Sequence, residues 1–356
     1  MPAIYITEQG ATLGIDHQRL EVRKDGKTVA EFPLGHVERV VVLGNVTLTT
    51  PALRRIMAEG IDLVFMSLGG AYYGRITGEV TPHVALRRAQ YTAQGDPAFA
   101  LALAQRIVAG RIHNEKAFLQ RQARRGMTAL RTMNLDQPDP ARHSAIPSPS
   151  DLDAVIADLD EAEARAGRTT TLNALRGVEG SATARYFGAL RGLFGAHWGF
   201  DNRNRRPPRD PVNVMLSFGY TLLARAAESA VKAVGLDPYV GFLHADAYNR
   251  PSMALDLMEE MRVTIENLVW ALVEEGEITP KDFRPAEDED EPPVVMDREA
   301  SKRFIKAYEA RMRETRAHPR TGEQVARWRF LEVQAREIAR CIRENAPSTY
   351  RALRFR

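Results

Sequence analysis

The spacing of apolar residues changes once along this chain of 356 residues, and that change limits the possible folds more than any other feature. Up to about residue 77, short runs rich in β-branched residues, such as residues 37–43, are separated by turn signals such as Asp25-Gly26. From about residue 82 the apolar residues recur with the 3.6-residue period of an α-helix. We therefore predict an α+β fold, with a small N-terminal β-sandwich over residues 1–77 and a larger all-α domain over residues 78–356.

A histidine and two carboxylates lie close together in the second half of the chain. His244 ends an apolar run in a loop, Pro251 starts a helix, and Asp256 and Glu259 follow three positions apart on that helix. An imidazole and carboxylates that converge in this way suit a divalent cation with mixed nitrogen and oxygen ligands, such as Mn²⁺ or Mg²⁺. Taken alone, however, the pattern favours the solvated acidic face of an ordinary amphipathic helix that continues to residue 272.

A third carboxylate, Glu179, lies between Gly177 and Gly180 in a predicted helix whose N-cap is one of the threonines at 169–171. Each glycine costs the helix about 1 kcal/mol relative to alanine. Glycines on both sides of a carboxylate let another backbone or a phosphate come close to it. The alternative is that the glycines serve only close packing between helices.

Five motifs of this chain occur together, at residues 175–180 (LRGVEG), 186–187 (YF), 210–220 (DPVNVMLSFGY), 235–244 (GLDPYVGFLH) and 255–260 (LDLMEE). Together they resemble a known family, the CRISPR-associated endonuclease/integrase that is the universal DNA-joining subunit of spacer acquisition. The separations of 65 positions from Glu179 to His244 and of 15 from His244 to Glu259 also match that family. Asn249 stands where glycine is common, in a loop that carries none of the ligands.

The resemblance implies a catalytic role for Glu179, His244, Asp256 and Glu259 in the α-helical domain. It further implies that Glu179, His244 and Glu259 bind the metal, Mn²⁺ or Mg²⁺. We interpret Asp256 as a residue that orients His244 or a bound water, because its side chain is shorter and a single ion need not be reached equally by both carboxylates of the helix. The implied reaction joins short DNA fragments to a CRISPR array through attack of a 3′-hydroxyl on a phosphodiester.

The resemblance also implies partners. These are double-stranded DNA, as prespacer and as CRISPR repeat, and a second copy of the chain paired through the N-terminal β domain. A small ferredoxin-like second adaptation protein would complete a heterohexamer-type complex, and an iron–sulfur CRISPR adaptation nuclease is a further candidate partner. Exposed strand edges of a small β domain are suited to the pairing of two copies.

The distribution of charge points to nucleic acid, although the net charge is only +3. Residues 298–356 contain 16 Lys and Arg against 7 Asp and Glu, and an acidic Pro-flanked linker is predicted near residues 284–296. Arginine forks bind phosphate oxygens bidentately, whereas the alternative is a surface of salt bridges. The arginines predicted to contact DNA are Arg185, Arg203, Arg205, Arg206 and Arg209.

Other features exclude several classes of function. The single cysteine, Cys341, cannot form an internal disulfide and suits a reducing cytoplasm. The sequence shows neither a secretory leader nor an apolar run of membrane-spanning length, and no glycine-rich phosphate loop opens a helix. Two alternatives remain: a structure-specific repair nuclease acting on branched DNA, and a scaffold that binds nucleic acid without catalysis.

Overall fold

The computed structural model describes residues 3–76, 83–132, 149–205, 207–244, 247–287 and 292–355, with the backbone alone at 126–132 and 149–151. The predicted domain boundary after residue 77 lies outside the described residues. Within them the protein is a mixed α+β structure, in which a small N-terminal β domain precedes a larger, mainly helical domain. No described helix is both long enough and apolar enough to cross a membrane.

The described part of the β domain contains eight strands and one α-helix. In chain order they are β1 (Ala3–Ile6), β2 (Thr12–Asp16), β3 (Arg19–Lys24), β4 (Lys27–Pro33), β5 (Arg39–Leu43), β6 (Thr47–Leu48), α1 (Thr50–Ala58), β7 (Asp62–Met66) and β8 (Tyr72–Ile76). The strands form two four-stranded sheets, in the orders β1-β5-β7-β8 and β4-β3-β2-β6. Helix α1 begins after Thr49, whose hydroxyl accepts a hydrogen bond from the amide of Ala52.

The sheet that contains β5 is buried on both of its faces. Val40 and Val42 pack into the core that the two sheets share. Val41 and Leu43 point to the opposite face and pack into the core of the helical domain. A strand covered on both sides has an unbroken apolar run, as β5 has, instead of an alternating one. The β domain is therefore held to the helical domain by one face of a sheet.

The α-helices of the larger domain are α2 (Val84–Gly95), α3 (Pro97–Thr132), α4 (Pro149–Ala166), α5 (Leu172–Arg191), α6 (Pro211–Val234), α7 (Ser252–Glu259), α8 (Arg262–Glu274), α9 (Arg298–Arg313) and α10 (Trp328–Arg343). The two longest of these described helices are α3 and α6. Asp210 caps the start of α6, where its carboxylate accepts a hydrogen bond from the amide of Asn213 at 2.8 Å, and Gly235, with a φ of 93°, caps its end.

The prediction that the larger domain is all-α was wrong, because two antiparallel hairpins lie within it. Strand β9 (Phe283–Pro285) pairs with β10 (Val294–Met296), and β11 (Thr315–Ala317) pairs with β12 (Gln324–Ala326). Strands of three residues are too short to produce a recognisable period in the sequence. The ends of the predicted acidic linker therefore pair with each other, and its residues 288–291 lie outside the described residues.

The amphipathic helix predicted to continue to residue 272 is broken in two. Helix α7 ends at Glu259 and α8 begins at Arg262. Between them Met261 has a φ of −106° and a ψ of −1°, outside the regular helical range. The break leaves Glu259 in the last turn of one helix and Arg262 in the first turn of the next.

Candidate active site

Asp256 of α7 holds the loop that carries His244. Its fully buried carboxylate accepts hydrogen bonds from the backbone amides of Phe242, Leu243 and His244, at 2.5, 2.9 and 3.0 Å. A Cβ atom at Gly241 would lie 2.8 Å from Asp256 Oδ2, so glycine is needed for the loop to approach this closely. The conformation of the loop therefore depends on one carboxylate of the helix that follows it.

The same carboxylate orients the imidazole of His244. The Nδ1 atom of His244 lies 2.6 Å from Asp256 Oδ1, and Nε2 lies 3.9 Å from Glu259 Oε1. Burial lowers the pKa of His244, but the hydrogen bond to Asp256 and the neighbouring negative charges outweigh it and raise the pKa. In the tautomer protonated at Nδ1, the lone pair of Nε2 is available to a ligand.

A buried guanidinium joins carboxylates from three helices. Arg111 of α3 is 2% exposed, and its Nη1 atom contacts both Glu179 of α5 and Glu259 of α7, lying 2.8 Å from Glu259 Oε2. Its Nε donates to Glu115 and its Nη2 donates to Thr183, each at 2.9 Å. A planar guanidinium has five donors and keeps its charge when buried, which suits this position. Arg111 thereby holds Glu179 and Glu259 beside each other.

Glu259 is ionised although it is buried. Burial raises the pKa of Glu259, but the charges of Arg111 and Arg262 outweigh burial and lower the pKa to about 2. Arg262 donates from Nη1 to Glu259 Oε1 at 3.2 Å. The Arg262 guanidinium also lies over the ring of Tyr220, with Cζ 4.3 Å from the centroid. Glu259 therefore offers a full negative charge at neutral pH.

The helix that carries these carboxylates has no solvated acidic face, so that interpretation of the sequence was wrong. Asp256, Glu259 and Glu260 are each at most 3% exposed. Charged side chains are almost never buried to this degree unless they are paired. The partners of Glu259 and Asp256 come from other parts of the chain, which is why the helix in isolation appeared to be amphipathic.

The donor atoms of this site fit a divalent cation, although its side chains do not form a ready cluster. In the part of the chain that the structure describes, no group of three or more His, Cys, Asp and Glu side chains could hold a metal ion. Arg111 contacts both Glu179 and Glu259, and so occupies the position of a counter-charge to the two carboxylates. Glu259 Oε2 is buried without a hydrogen bond, at ion-pair distance from Arg111. Carboxylate oxygens and a neutral imidazole are ligands that Mn²⁺ accepts.

Open surface lies beside Glu179. A Cβ atom at Gly177 or Gly180 would meet no atom within 4 Å, so neither glycine serves close packing between helices. The side chain of Glu179 is 26% exposed, against 4% for Glu259. The site is therefore reached from the solvent on the side of α5.

Arg203 is tied to the fold by its own hydrogen bonds. It donates from Nη1 to Asn213 at 2.7 Å and from Nη2 to Ser217 at 3.0 Å. Its Cζ atom lies 5.4 Å from the ring centroid of Tyr220, and burial lowers its pKa to about 10. These contacts fasten the loop before α6 to that helix.

The other predicted DNA contacts are at the surface. Arg205 is an exposed residue whose guanidinium is partly covered. This partial burial and the charge of Arg262 lower the pKa of Arg205, whereas the charge of Glu259 raises it. Arg205 is thus within electrostatic range of the site. Arg209 is exposed as well, whereas Arg185 pairs with Asp158 at 3.1 Å. Arg206 lies outside the described residues.

Three arginines of the site, Arg111, Arg176 and Arg262, were not predicted from the sequence. Arg176 donates to the carbonyl of Leu243 from Nε at 3.1 Å and from Nη2 at 2.8 Å, which ties α5 to the histidine loop. Arg176 and Arg262 each lie three positions from a predicted ligand, and that spacing is a usable signal on a helix. Arg111 had no such signal, because it precedes Glu179 by 68 positions.

Comparisons with known proteins place this geometry in context. Residues 4–310 match the family described as CRISPR associated protein Cas1. The chain is 36% identical over 338 residues to CRISPR-associated endonuclease Cas1 3 of Thermus thermophilus, covering 94% of this chain and 90% of that one. It is 35% identical to a CRISPR-associated exonuclease Cas4/endonuclease Cas1 fusion of Geobacter sulfurreducens, covering 98% of this chain and 58% of the fusion. A solved Cas6-RT-Cas1–Cas2 complex contains a chain with the same fold (TM-score 0.80, 24% identity), covering 99% of this chain and 36% of that one.

Replacing Arg111 by methionine should destabilise the metal-free protein by about 3–5 kcal/mol, because buried carboxylates would lose their common counter-charge. The matched control is Arg191→Met, which removes an exposed pair with Asp201 and should cost less than about 1 kcal/mol. Urea unfolding in the presence of EDTA measures the free energy of unfolding of both variants. Equal unfolding midpoints for the two variants would contradict the role of Arg111.

Proposed function

Because the chain belongs to the CRISPR-associated Cas1 family, as its motifs predicted, we propose that it is a metal-dependent DNA endonuclease and integrase. It joins short DNA fragments, the spacers, into a CRISPR array by attack of a 3′-hydroxyl on a phosphodiester, in antiviral defence. The main support for this proposal is the position of Glu259. It lies near His244 Nε2, and Arg111 links it to Glu179 by contacting both carboxylates.

Glu179, His244 and Glu259 would hold the cation, Mn²⁺ or Mg²⁺. Two carboxylates and one imidazole are a suitable donor set for either ion. When bound, the cation polarises the scissile phosphodiester and neutralises the charge that develops on the leaving oxygen. The low pKa of Glu259 keeps this ligand deprotonated at neutral pH.

The surrounding residues prepare the three ligands. Asp256 fixes the ring orientation of His244 and favours the tautomer whose Nε2 lone pair is free. Arg111 holds one oxygen of Glu179 and one of Glu259, so that the two carboxylates stay adjacent. Burial of α7 keeps water from Asp256 and Glu259, which strengthens their interactions with the positive charges around them.

DNA would reach the site across the open surface beside Gly177 and Gly180, where a phosphate can approach Glu179. Arg205 is exposed and within electrostatic range of the site, so it would supply a positive charge to a bound phosphate. Arg185 and Arg209 are exposed as well and would contribute further phosphate contacts, Arg185 at the expense of its pair with Asp158. Arg203 shapes the loop that carries Arg205 and Arg209, in addition to any contact with DNA.

The partners proposed for this chain are a Cas2-type ferredoxin-like protein, in a heterohexamer-type assembly, and a Cas4-type iron–sulfur nuclease. Two relatives support them: one solved neighbour is a Cas1–Cas2 complex, and one relative is a Cas4/Cas1 fusion. A repair nuclease acting on branched DNA is the alternative function. A joined product formed from a DNA with a free 3′-hydroxyl separates the two, because a repair nuclease only cuts.

Glu179→Gln, His244→Ala and Glu259→Gln should each abolish Mn²⁺-dependent strand transfer and weaken Mn²⁺ binding severely. Asp256→Asn should lower Mn²⁺ affinity by about 10–100-fold, as is typical for residues that orient a ligand. Calorimetric titration with Mn²⁺ beside a strand-transfer assay measures both effects. An Asp256→Asn protein that cannot bind Mn²⁺, together with a Glu259→Gln protein that can, would reverse the two assignments.

DNA affinity should fall steeply with salt, and Arg205→Ala should reduce the slope of log K against log salt by about 0.9, the value for one phosphate contact. The thermal stability of the Arg205→Ala variant should equal that of the unaltered protein, because Arg205 is exposed. Arg203→Ala should instead lower stability, through its lost bonds to Asn213 and Ser217. Fluorescence anisotropy over a salt series measures the slope, with Arg191→Ala as the control. An unchanged slope for Arg205→Ala would remove this residue from the DNA-binding surface.

The full chain should sediment as a homodimer at micromolar concentration, paired through the β domain. Strand β4 is an edge suited to pairing, because it is largely exposed and carries Val29, which is 53% exposed. Val29→Lys should therefore shift the protein toward monomer. A monomeric full chain would contradict the proposal, and a dimer unaffected by Val29→Lys would place the interface elsewhere.

A further inference from the structure

The residue after the predicted ligand Glu259 is bound by the end of the chain. The buried carboxylate of Glu260 accepts hydrogen bonds from Tyr350 Oη at 2.8 Å and from the amide of Leu353 at 2.6 Å. Gln334 of α10 donates to the same carboxylate at 2.9 Å. Residues 350–355, called here the C-terminal segment, thus supply two of its three hydrogen bonds.

The backbone at this point is held by the same segment through Asn114 of α3. Asn114 Nδ2 donates to the carbonyl of Glu260 at 2.7 Å and to that of Leu353 at 2.9 Å. The amide of Phe355 donates to Asn114 Oδ1 at 2.7 Å. Asn114 lies next to Glu115 and less than one turn from Arg111, so the contact reaches the helix that holds the carboxylates of the site.

The position of this contact matters because the helix ends there. Helix α7 stops at Glu259, and the carbonyl groups of a last turn have no partners within their own helix. The direction of the chain between Glu259 and Arg262 is therefore set by contacts from outside, and those to Glu260 come from Asn114, Gln334 and the C-terminal segment. If the segment were released, the Glu260 carboxylate would lose two donors in a buried place and would have to move toward water.

We propose that the docked C-terminal segment positions Glu259 for metal binding, with Glu260 and Asn114 as the positioning residues. This inference rests on the proposed function, since it assigns Glu259 as a ligand. The C-terminal segment would thus position a metal ligand, a role distinct from that of its basic residues in binding DNA. Tyr350 and Leu353 are buried within the segment while Arg351 and Arg354 are exposed, as expected for a segment docked along one side.

Gly110 offers a specific way to release the segment. A Cβ atom at this position of α3 would lie 2.5 Å from the Cβ of Ala352, a separation that real Cβ atoms essentially never show. Gly110→Ala should therefore displace the segment while favouring the helix itself by about 1 kcal/mol. The double variant Gly110→Ala with Ala352→Gly removes the clash. Gly188→Ala is the matched control, because its new Cβ meets nothing within 4 Å in α5.

Two measurements decide the proposal. The first is the affinity for Mn²⁺, measured by calorimetry. The second is hydrogen exchange in EDTA, at the backbone amides of α7 and at those of Leu353 and Phe355 in the segment. In Gly110→Ala we expect faster exchange at all of these amides and roughly tenfold weaker Mn²⁺ binding, as for other residues that orient a ligand. The double variant should restore both, and Gly188→Ala should change neither. Release of the segment with unchanged Mn²⁺ affinity, or a double variant that does not recover, would overturn the proposal.

The remaining outcomes are also decisive. If Gly110→Ala leaves the segment docked, a chain ending at Thr349 removes it, and the same two measurements apply. If the unaltered protein binds no Mn²⁺, the proposed function fails, and the exchange of α7 in EDTA then decides this inference alone. Faster exchange on release of the segment would support positioning by the segment, and unchanged exchange would exclude it.

Discussion

The burial of Arg111 is the interaction on which the site and its surroundings depend. Charged carboxylates cannot be buried without a counter-charge, and Glu259 is placed deep between helices that begin far apart in the sequence. One guanidinium with donors in a plane pairs with Glu115, Glu179 and Glu259 together, and so connects α3, α5 and α7. The relative positions of these three helices are thereby set by charge as well as by apolar packing.

The same arrangement positions the donor atoms of the proposed metal site, although Arg111 still contacts two of its carboxylates. Arg111 and Arg262 neutralise Glu259 and keep its pKa at about 2, so that the ligand does not take up a proton in its buried position. Asp256 performs the corresponding task for the histidine loop, with three backbone amides and one imidazole nitrogen as its partners. The donors are thus held in place by contacts with the chain itself, and pre-organisation of this kind lowers the cost of binding.

Much of this could be predicted from the sequence, and the failures have physical reasons. The apolar run of β5 and the threonine that caps α5 are local signals, and the structure has elements at those places. The hairpins β9–β10 and β11–β12 were missed because three residues do not establish a period. The helix break at Met261 was missed because the apolar spacing continues across it. Its location coincides with hydrogen bonds to Asn114, which is 146 positions away.

The sequence by itself determined the order of a β domain and a helical domain, the family, and three motifs with ligand-type side chains at characteristic separations. These are properties of composition, period and spacing, and a chain carries them before it folds. Only the tertiary structure decided that the acidic face of α7 is buried, that Arg203 serves the fold, and that Arg111 is the counter-charge of the site. The reason is that the burial and the partner of a charged group depend on residues distant in the sequence, and no local pattern encodes them.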